Sequence, residues 1–424
     1  MDQRYESYKD SGVQWLGEIP SHWKLVRIKA LLEERTEKSK TGTEEPLSMS
    51  QKFGIIPTKE MDVVPNAASS YIGAKNVYVG DIVFNKLKAH LGVFAISQYE
   101  GLVSPDYAVY YSKGISDKRY IEYQFHTPLY IQEFKRHATG VAIGLTRLYT
   151  NQLYAIQSIC PPLEEQKTIV LYLDDKCKKI DEWVNKKEKE VEHLQELQQR
   201  VVANAVTLGL NPDVKMKATN MPWLPEVPEH WEIKPIRSLL KESDKKTETG
   251  TEELLSLSQY TGVSYKRDVT RTGMFEAEST VGYKKVHPGQ FVMNIMLAWN
   301  GSYAVSDLEG VISPAYCVFD FICECDKTYY DYLLRTKMYA SAFKTESRGI
   351  IESRLRLYPN KFYPFHIPVP PIEEQHAIVS YISDKANKII KLIVNINKEI
   401  ETIKEYKQRL ISDVITGQIK VNKL

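Results

Sequence analysis

The sequence has no apolar run approaching the roughly 20 residues that cross a bilayer, so no membrane partner is expected. Its opening residues, Met1-Asp2-Gln3-Arg4-Tyr5, supply neither a charged n-region nor an apolar h-region, and the expectation is a cytoplasmic protein without a secretory signal. Cysteine is scarce: Cys160, Cys177, Cys317, Cys323 and Cys325 form an odd set with no CxxC pair. The closest spacing, Cys323-Glu324-Cys325, offers two thiols, too few to close a tetrahedral zinc site, so no metal site is expected. Neither sign of charge dominates, with 56 Lys and Arg against 54 Asp and Glu. A net charge of +2 neither demands nor excludes nucleic acid. What decides is whether cations gather on one face.

The motifs of common catalysts are missing too. There is no GxxxxGK[ST] phosphate loop, no GxGxxG turn after a strand, and no [NDS]PP[YF] tetrapeptide of the kind amino-methyltransferases carry. Pro212-Asp213 with Glu232-Ile233-Lys234 imitates the PD…ExK pattern of metal-dependent nucleases. It straddles an interdomain linker, however, and the matching earlier stretch reads Lys24-Leu25-Val26. The nine histidines are scattered, and His22 and His230, each beside a tryptophan, suit packing at a domain edge better than catalysis. No catalytic residue is assigned.

What is present is a tandem repeat, the feature to seek first. Trp15-Leu16-Gly17-Glu18-Ile19-Pro20-Ser21-His22-Trp23 returns 208 positions later as Trp223-Leu224-Pro225-Glu226-Val227-Pro228-Glu229-His230-Trp231. From Gly80 onward the offset is 209, pairing Ser104-Pro105 with Ser313-Pro314 and Arg147-Leu148-Tyr149 with Arg356-Leu357-Tyr358. Each copy closes on a proline pair and two glutamates, Pro161-Pro162-Leu163-Glu164-Glu165-Gln166 and Pro370-Pro371-Ile372-Glu373-Glu374-Gln375. Prolines suit a helix start, and acids there suit its positive end.

Beyond these openings the pattern predicts two long helices. Counting heptads from Gln166 puts Leu173, Ile180, Lys187, Leu194 and Val201 at a and Ile169, Trp183 and Leu197 at d, and the neighbouring e positions Val170, Cys177, Val184, Val191 and Ala205 widen the apolar stripe. The second helix carries Ile382, Ile389, Ile396, Ile403 and Leu410 at a. Two matching stripes in one chain invite an intramolecular antiparallel pair, with Lys187 as a register pin. The globular parts read as mixed α/β, with strands near 81–84, 92–96 and 107–111 and a short amphipathic helix at 118–127, mirrored at 327–336. The fold class is therefore α+β: two globular domains in pseudo-twofold tandem repeat, separated by an antiparallel coiled coil. The boundaries are a first domain at 1–160, a central helix at 161–209, a linker at 210–222, a second domain at 223–369 and a terminal helix at 370–418.

The copies differ most inside this shared frame. Between paired strands the first reads Asn85-Lys86-Leu87-Lys88-Ala89-His90-Leu91, the second Asn294-Ile295-Met296-Leu297-Ala298-Trp299-Asn300. A fixed scaffold with variable loops rich in Lys, Arg, Asn, Gln and His suits contacts to base edges and phosphates. The candidate DNA contacts are Lys52, Lys59, Lys86, Lys88, His90, Arg136 and Arg147 in the first copy. In the second they are Gln259, Lys266, Arg267, Asn300, Arg348, Arg354 and Arg356.

The WLGEIPSHW-like entry, the two proline-glutamate helix openings and the duplication together resemble the specificity (S) subunit of type I restriction-modification systems, the HsdS family, over about Tyr8 to Gln418. The resemblance implies a prokaryotic, non-catalytic subunit whose two target-recognition domains each read half of a bipartite DNA sequence. It implies partners: two modification subunits carrying S-adenosylmethionine and methylating flipped-out adenine, and restriction subunits using ATP and Mg. The chain departs from the pattern at Ile295, where the first copy has Lys86, so contacts do not transfer between the copies there. Two rivals remain: the specificity chain of a related fused system, and a structural coiled-coil protein with ligand-binding heads.

Overall fold

Each domain is closed by pairing the strand that enters it with the strand that leaves it. In a computed structural model describing residues 4–50, 53–61, 70–140, 146–269, 279–349 and 355–422, Lys24–Arg27 pairs antiparallel with Gln157–Cys160. Glu232–Pro235 pairs likewise with His366–Val369. Between them, each domain builds a four-stranded antiparallel sheet. Its order in the first is Leu32–Glu34, Tyr107–Ser112, Ile82–Asn85, Phe94–Ile96. The second repeats it as Leu240–Ser243, Tyr316–Phe321, Phe291–Asn294, Tyr303–Val305.

Strand alternation divides the core in two, because successive side chains point to opposite faces. Ile82 and Phe84 join Ala108 and Tyr110 in the larger cluster, with Phe94, Phe125, Tyr130 and Phe134. Val83 and Val109 turn to the other face and meet Leu47, Ile55, Val77 and Val103. The second domain sorts Phe291 and Met293 from Val292 in the same way. The larger face is covered by the helices Lys118–Phe125 and Pro128–His137, the first capped by Asp117 accepting from the amides of Arg119 and Tyr120.

The chain divides into two compact units, Met1–Lys187 with Lys398–Leu424, and Glu188–Asn397. The two long helices, Leu163–Leu208 and Ile372–Ile415, each contribute to both. In the first unit their segments run antiparallel, with Lys407 Nζ 2.7 Å from Asp181 and Lys187 Nζ 3.7 Å from Glu399. The half-buried Lys187 thus finds a carboxylate across the seam. In the second unit Ala205 and Val206 share a core with Ile378 and Ile382. Leu173, Ile382, Ile389, Ile396 and Leu410 are buried, and Ile180, Leu194, Val201 and Ile403 are half-buried.

The heptad frame needs one correction. Trp183 and Leu197, read as d positions, are 36% and 38% exposed, whereas Cys177 and Val184 at e are buried. Both a with d and a with e alternate in steps of three and four, so burial decides: Ile169 at d is buried near the helix start, while further along the e positions take over.

The recurring motifs form the joint between helix and domain. Trp23, fully buried, donates its indole N–H to Glu165 at 3.1 Å, and His22 Nε2 lies 2.9 Å from the same carboxylate. Trp231 and His230 grip Glu374 at 2.9 and 2.8 Å. One residue on, the side-chain oxygen of Gln166 accepts from the Asp117 amide at 2.8 Å and from Ser116 Oγ at 3.0 Å, while its nitrogen donates to the Pro161 carbonyl at 2.8 Å. Both histidines therefore hold structure.

Behind each joint a left-handed glycine closes the unit: Gly209 against Pro228 and Trp231, and Gly417 against Pro20 and Trp23. Tyr8 donates its hydroxyl to the Gly417 carbonyl at 2.8 Å. The stretch expected as linker at 210–222 is loop only at its start, since Met216–Met221 forms a hairpin with Leu224–Pro228. That hairpin buries Met221 in the second core.

The thiols follow the fold. Cys160, Cys177 and Cys317 are buried, Cys325 is partly buried, and Cys323 is exposed. Burial pushes Cys317 and Cys325 up to about 12. Because only the thiolate attacks, brief iodoacetamide treatment of the native chain should label Cys323 alone by peptide mass mapping. Early labelling of Cys317 would contradict this packing.

Candidate nucleic-acid interface

The central strand of each sheet ends in the same rigid turn. Asn85 accepts the Leu87 amide on Oδ1 at 3.1 Å and the Lys88 amide on its carbonyl at 2.9 Å. Asn294 does the same for Met296 and Leu297 at 3.0 and 3.1 Å. A single helical turn follows, Ala89–Leu91 or Ala298–Asn300, ending on a left-handed glycine, Gly92 or Gly301. Since asparagine and glycine fix the backbone, the side chains between them are free to vary.

Two further segments reach this turn. The short helical turn packs on the helix Pro128–His137, whose last turn carries Lys135, Arg136 and His137. The chain leaving the domain pairs Thr139 with Arg147 and donates the Leu148 amide to the Lys86 carbonyl at 3.0 Å. Lys86, Lys88, His90, Arg136 and Arg147 are thus drawn from three segments to one end of the sheet. Their fields overlap. Burial lowers the pKa of Lys86, and Lys75 and Arg147 lower it further; burial and then Lys135 lower that of His90. His90 Nδ1 is buried without a hydrogen-bond partner among the described residues. Arg136 lies 3.2 Å from Glu133 and Arg147 3.7 Å from Asp106. Lys88 is exposed.

In the second domain the Leu357 amide donates to the Ile295 carbonyl at 2.9 Å, and Arg348 and Arg356 form a cross-strand pair. Both are exposed and meet no carboxylate among the described residues. Like charges directly opposite one another repel, and an anionic ligand relieves the repulsion. Asn300 is half-buried and accepts from Ser302 Oγ at 2.9 Å. Gln259 accepts Arg335 on its carbonyl at 3.0 Å, and Lys266 is half-buried.

Lys59 and Arg267 occupy matching hairpin ends and are neutralised locally. Lys59 lies 3.2 Å from Glu45 and Arg267 2.5 Å from Glu253, with Arg267 also 4.6 Å above the Tyr265 ring. Lys52 and Arg354 lie outside the described residues. Sequence reasoning passed over Lys135 and Lys344, beside His90 and 5.3 Å over the Trp299 ring respectively. Their signal was the repeat itself, which keeps lysine at both positions.

These contacts set an expectation. Arg348→Ala and Arg356→Ala should each flatten the log K against log salt slope by about one. Lys59→Ala should change it by less than half as much, because Glu45 already answers that charge. Equal slopes for all three variants in fluorescence titrations would count against this ranking.

A duplicated frame presents two differently furnished turns, one carrying Lys86 and Lys88 and the other apolar beside Arg348 and Arg356, and no cluster of three metal-binding side chains exists among the described residues. No described helix is long and apolar enough to cross a membrane. The class so defined is a nucleic-acid reader with two heads.

The family model described as "Type I restriction modification DNA specificity domain" matches residues 20–193 and 228–402. The chain belongs to that family, and its role is that of a DNA specificity subunit, not a catalyst. Among its relatives is the putative type I restriction enzyme MjaX specificity subunit of Methanocaldococcus jannaschii, 23% identical and matched over 96% of each chain. The MjaVIII specificity subunit of the same organism is 24% identical over 73% of this chain and 72% of its own. A chain from a structural study of complex assembly and conformational transition of the type I R-M system shares the fold. Its TM-score is 0.64 at 15% identity, covering 94% of this chain and 98% of that one.

Proposed function

We propose that each repeat reads one half of a bipartite duplex target through its sheet-end turn, and that the paired helices set the gap between the half-sites. On this reading two modification subunits dock on the chain and supply S-adenosylmethionine and adenine methylation. Restriction subunits supply ATP- and Mg-dependent cleavage, and the assembly works in the cytoplasm. The observation that carries the proposal is that one backbone turn, fixed by Asn85 or Asn294, carries different side chains in the two copies. A reader of two different half-sites needs that arrangement.

The test is methylome sequencing of cells expressing this chain with its modification subunits. A single bipartite motif, with adenine methylated in both half-sites, is expected. Methylation with no motif, or methylation by the purified chain alone, would overturn the proposal.

A further inference from the structure

We infer that the turn of the second domain reads the 5-methyl group of a thymine through Met296 and Leu297. The inference rests on the DNA-reading role proposed above and adds the chemistry of one contact within it.

The two turns share a backbone but not a polarity. Lys86 and Lys88 of the first are matched by Ile295 and Leu297 of the second. Ile295 packs against the domain core, but Met296 and Leu297 remain 37% and 38% exposed. They are held, not loose. The Met296 amide is fixed by Asn294 Oδ1, its carbonyl accepts the Trp299 indole at 3.0 Å, and the Leu297 carbonyl accepts the Asn300 amide at 3.1 Å. A fixed backbone sacrifices little freedom on binding.

The surroundings select the occupant. Arg356 adjoins the turn through the Leu357–Ile295 hydrogen bond, Arg348 lies opposite Arg356, and Lys344 sits over Trp299. An apolar pair with cations on the adjoining segments suits a partner that is anionic around an apolar point. Duplex DNA has that form in the major groove, where the thymine methyl is the one apolar group among the base edges and phosphates flank it.

The test uses the full chain with its modification subunits and the target found by methylome sequencing. Thymines are replaced one at a time by deoxyuridine, which removes the methyl and leaves every hydrogen-bonding group. At one or two positions of a single half-site, deoxyuridine should weaken binding about four-fold, the transfer free energy of one methyl. Met296→Ala or Leu297→Ala should bind thymine and uracil duplexes equally at those positions. Leu297→Lys, which installs the residue of the first turn, should also erase the difference and steepen the salt slope by about one. These sites are exposed, so unchanged thermal melts are expected and serve as the folding control. If no thymine couples to any of these variants while Arg356→Ala still weakens binding, the inference is wrong and the DNA-reading role stands. Absence of sequence-specific binding by the unaltered assembly would instead overturn the DNA-reading role.

Discussion

Gln166→Ala should destabilise the first unit by about 3 kcal/mol, because it strands several buried polar groups at once. Gln166 is fully buried, and its amide answers the Asp117 amide, the Ser116 hydroxyl and the Pro161 carbonyl. Each group left unsatisfied costs about 1–3 kcal/mol, less whatever water recovers. Gln375→Ala should cost less, about 2 kcal/mol. Among the described residues Gln375 serves only the Asp326 amide and the Pro370 carbonyl, since Cys325 stands where the first copy has Ser116. Hydrogen exchange separates the two, because protection should fall around 115–125 in one variant and 324–334 in the other. A Gln166→Ala chain with an unchanged urea midpoint and a protected Asp117 amide would disprove the joint.

The second large effect is on the target. The central helix passes from one unit to the other between Lys187 and Glu188, and the terminal helix between Asn397 and Lys398. Adding one heptad at both points leaves the contacts inside each unit in register. Seven helical residues add about 10 Å, or about three base pairs at 3.4 Å each. The gap in the methylated motif should lengthen by about that much with both half-sites unchanged. Altered half-sites around an unaltered gap would defeat the idea that helix length sets the spacing. Adding the heptad to one helix alone should instead destabilise the pair, since the two helical connections between the units would then differ in length by about 10 Å.

Much of this was legible because the chain states it twice. The strand around Val83, the helix beginning at Lys118 and the joint motifs all recur at an offset of 208 or 209, and repetition filters noise from a pattern. The seam was legible as a stripe but not as a frame. Trp183 and Leu197 are apolar, and only the position of the opposing helix shows that a and e face it. Ion-pair partners were invisible for a similar reason. Lys59 and Arg267 read as free cations until folding brought Glu45 and Glu253 across the hairpin. In the sequence the turn at Met296 and Leu297 shows only as the loss of a lysine at Ile295. Its exposure, not its composition, gives it meaning.

The glycine at position 417 also sets an order of events. The second unit is one continuous stretch, Glu188–Asn397, and holds all its own parts once that stretch has left the ribosome. The first unit does not. Its tryptophan pocket stays open until Gly417 arrives, and Tyr120, fully buried, waits for the Ile415 carbonyl 295 residues further along. Contacts at such separation form late, and the surface awaiting them is exposed meanwhile. The domain made first is therefore finished last, and a chain that stops short of its final turn of helix leaves the earlier head, rather than the nearer one, incomplete.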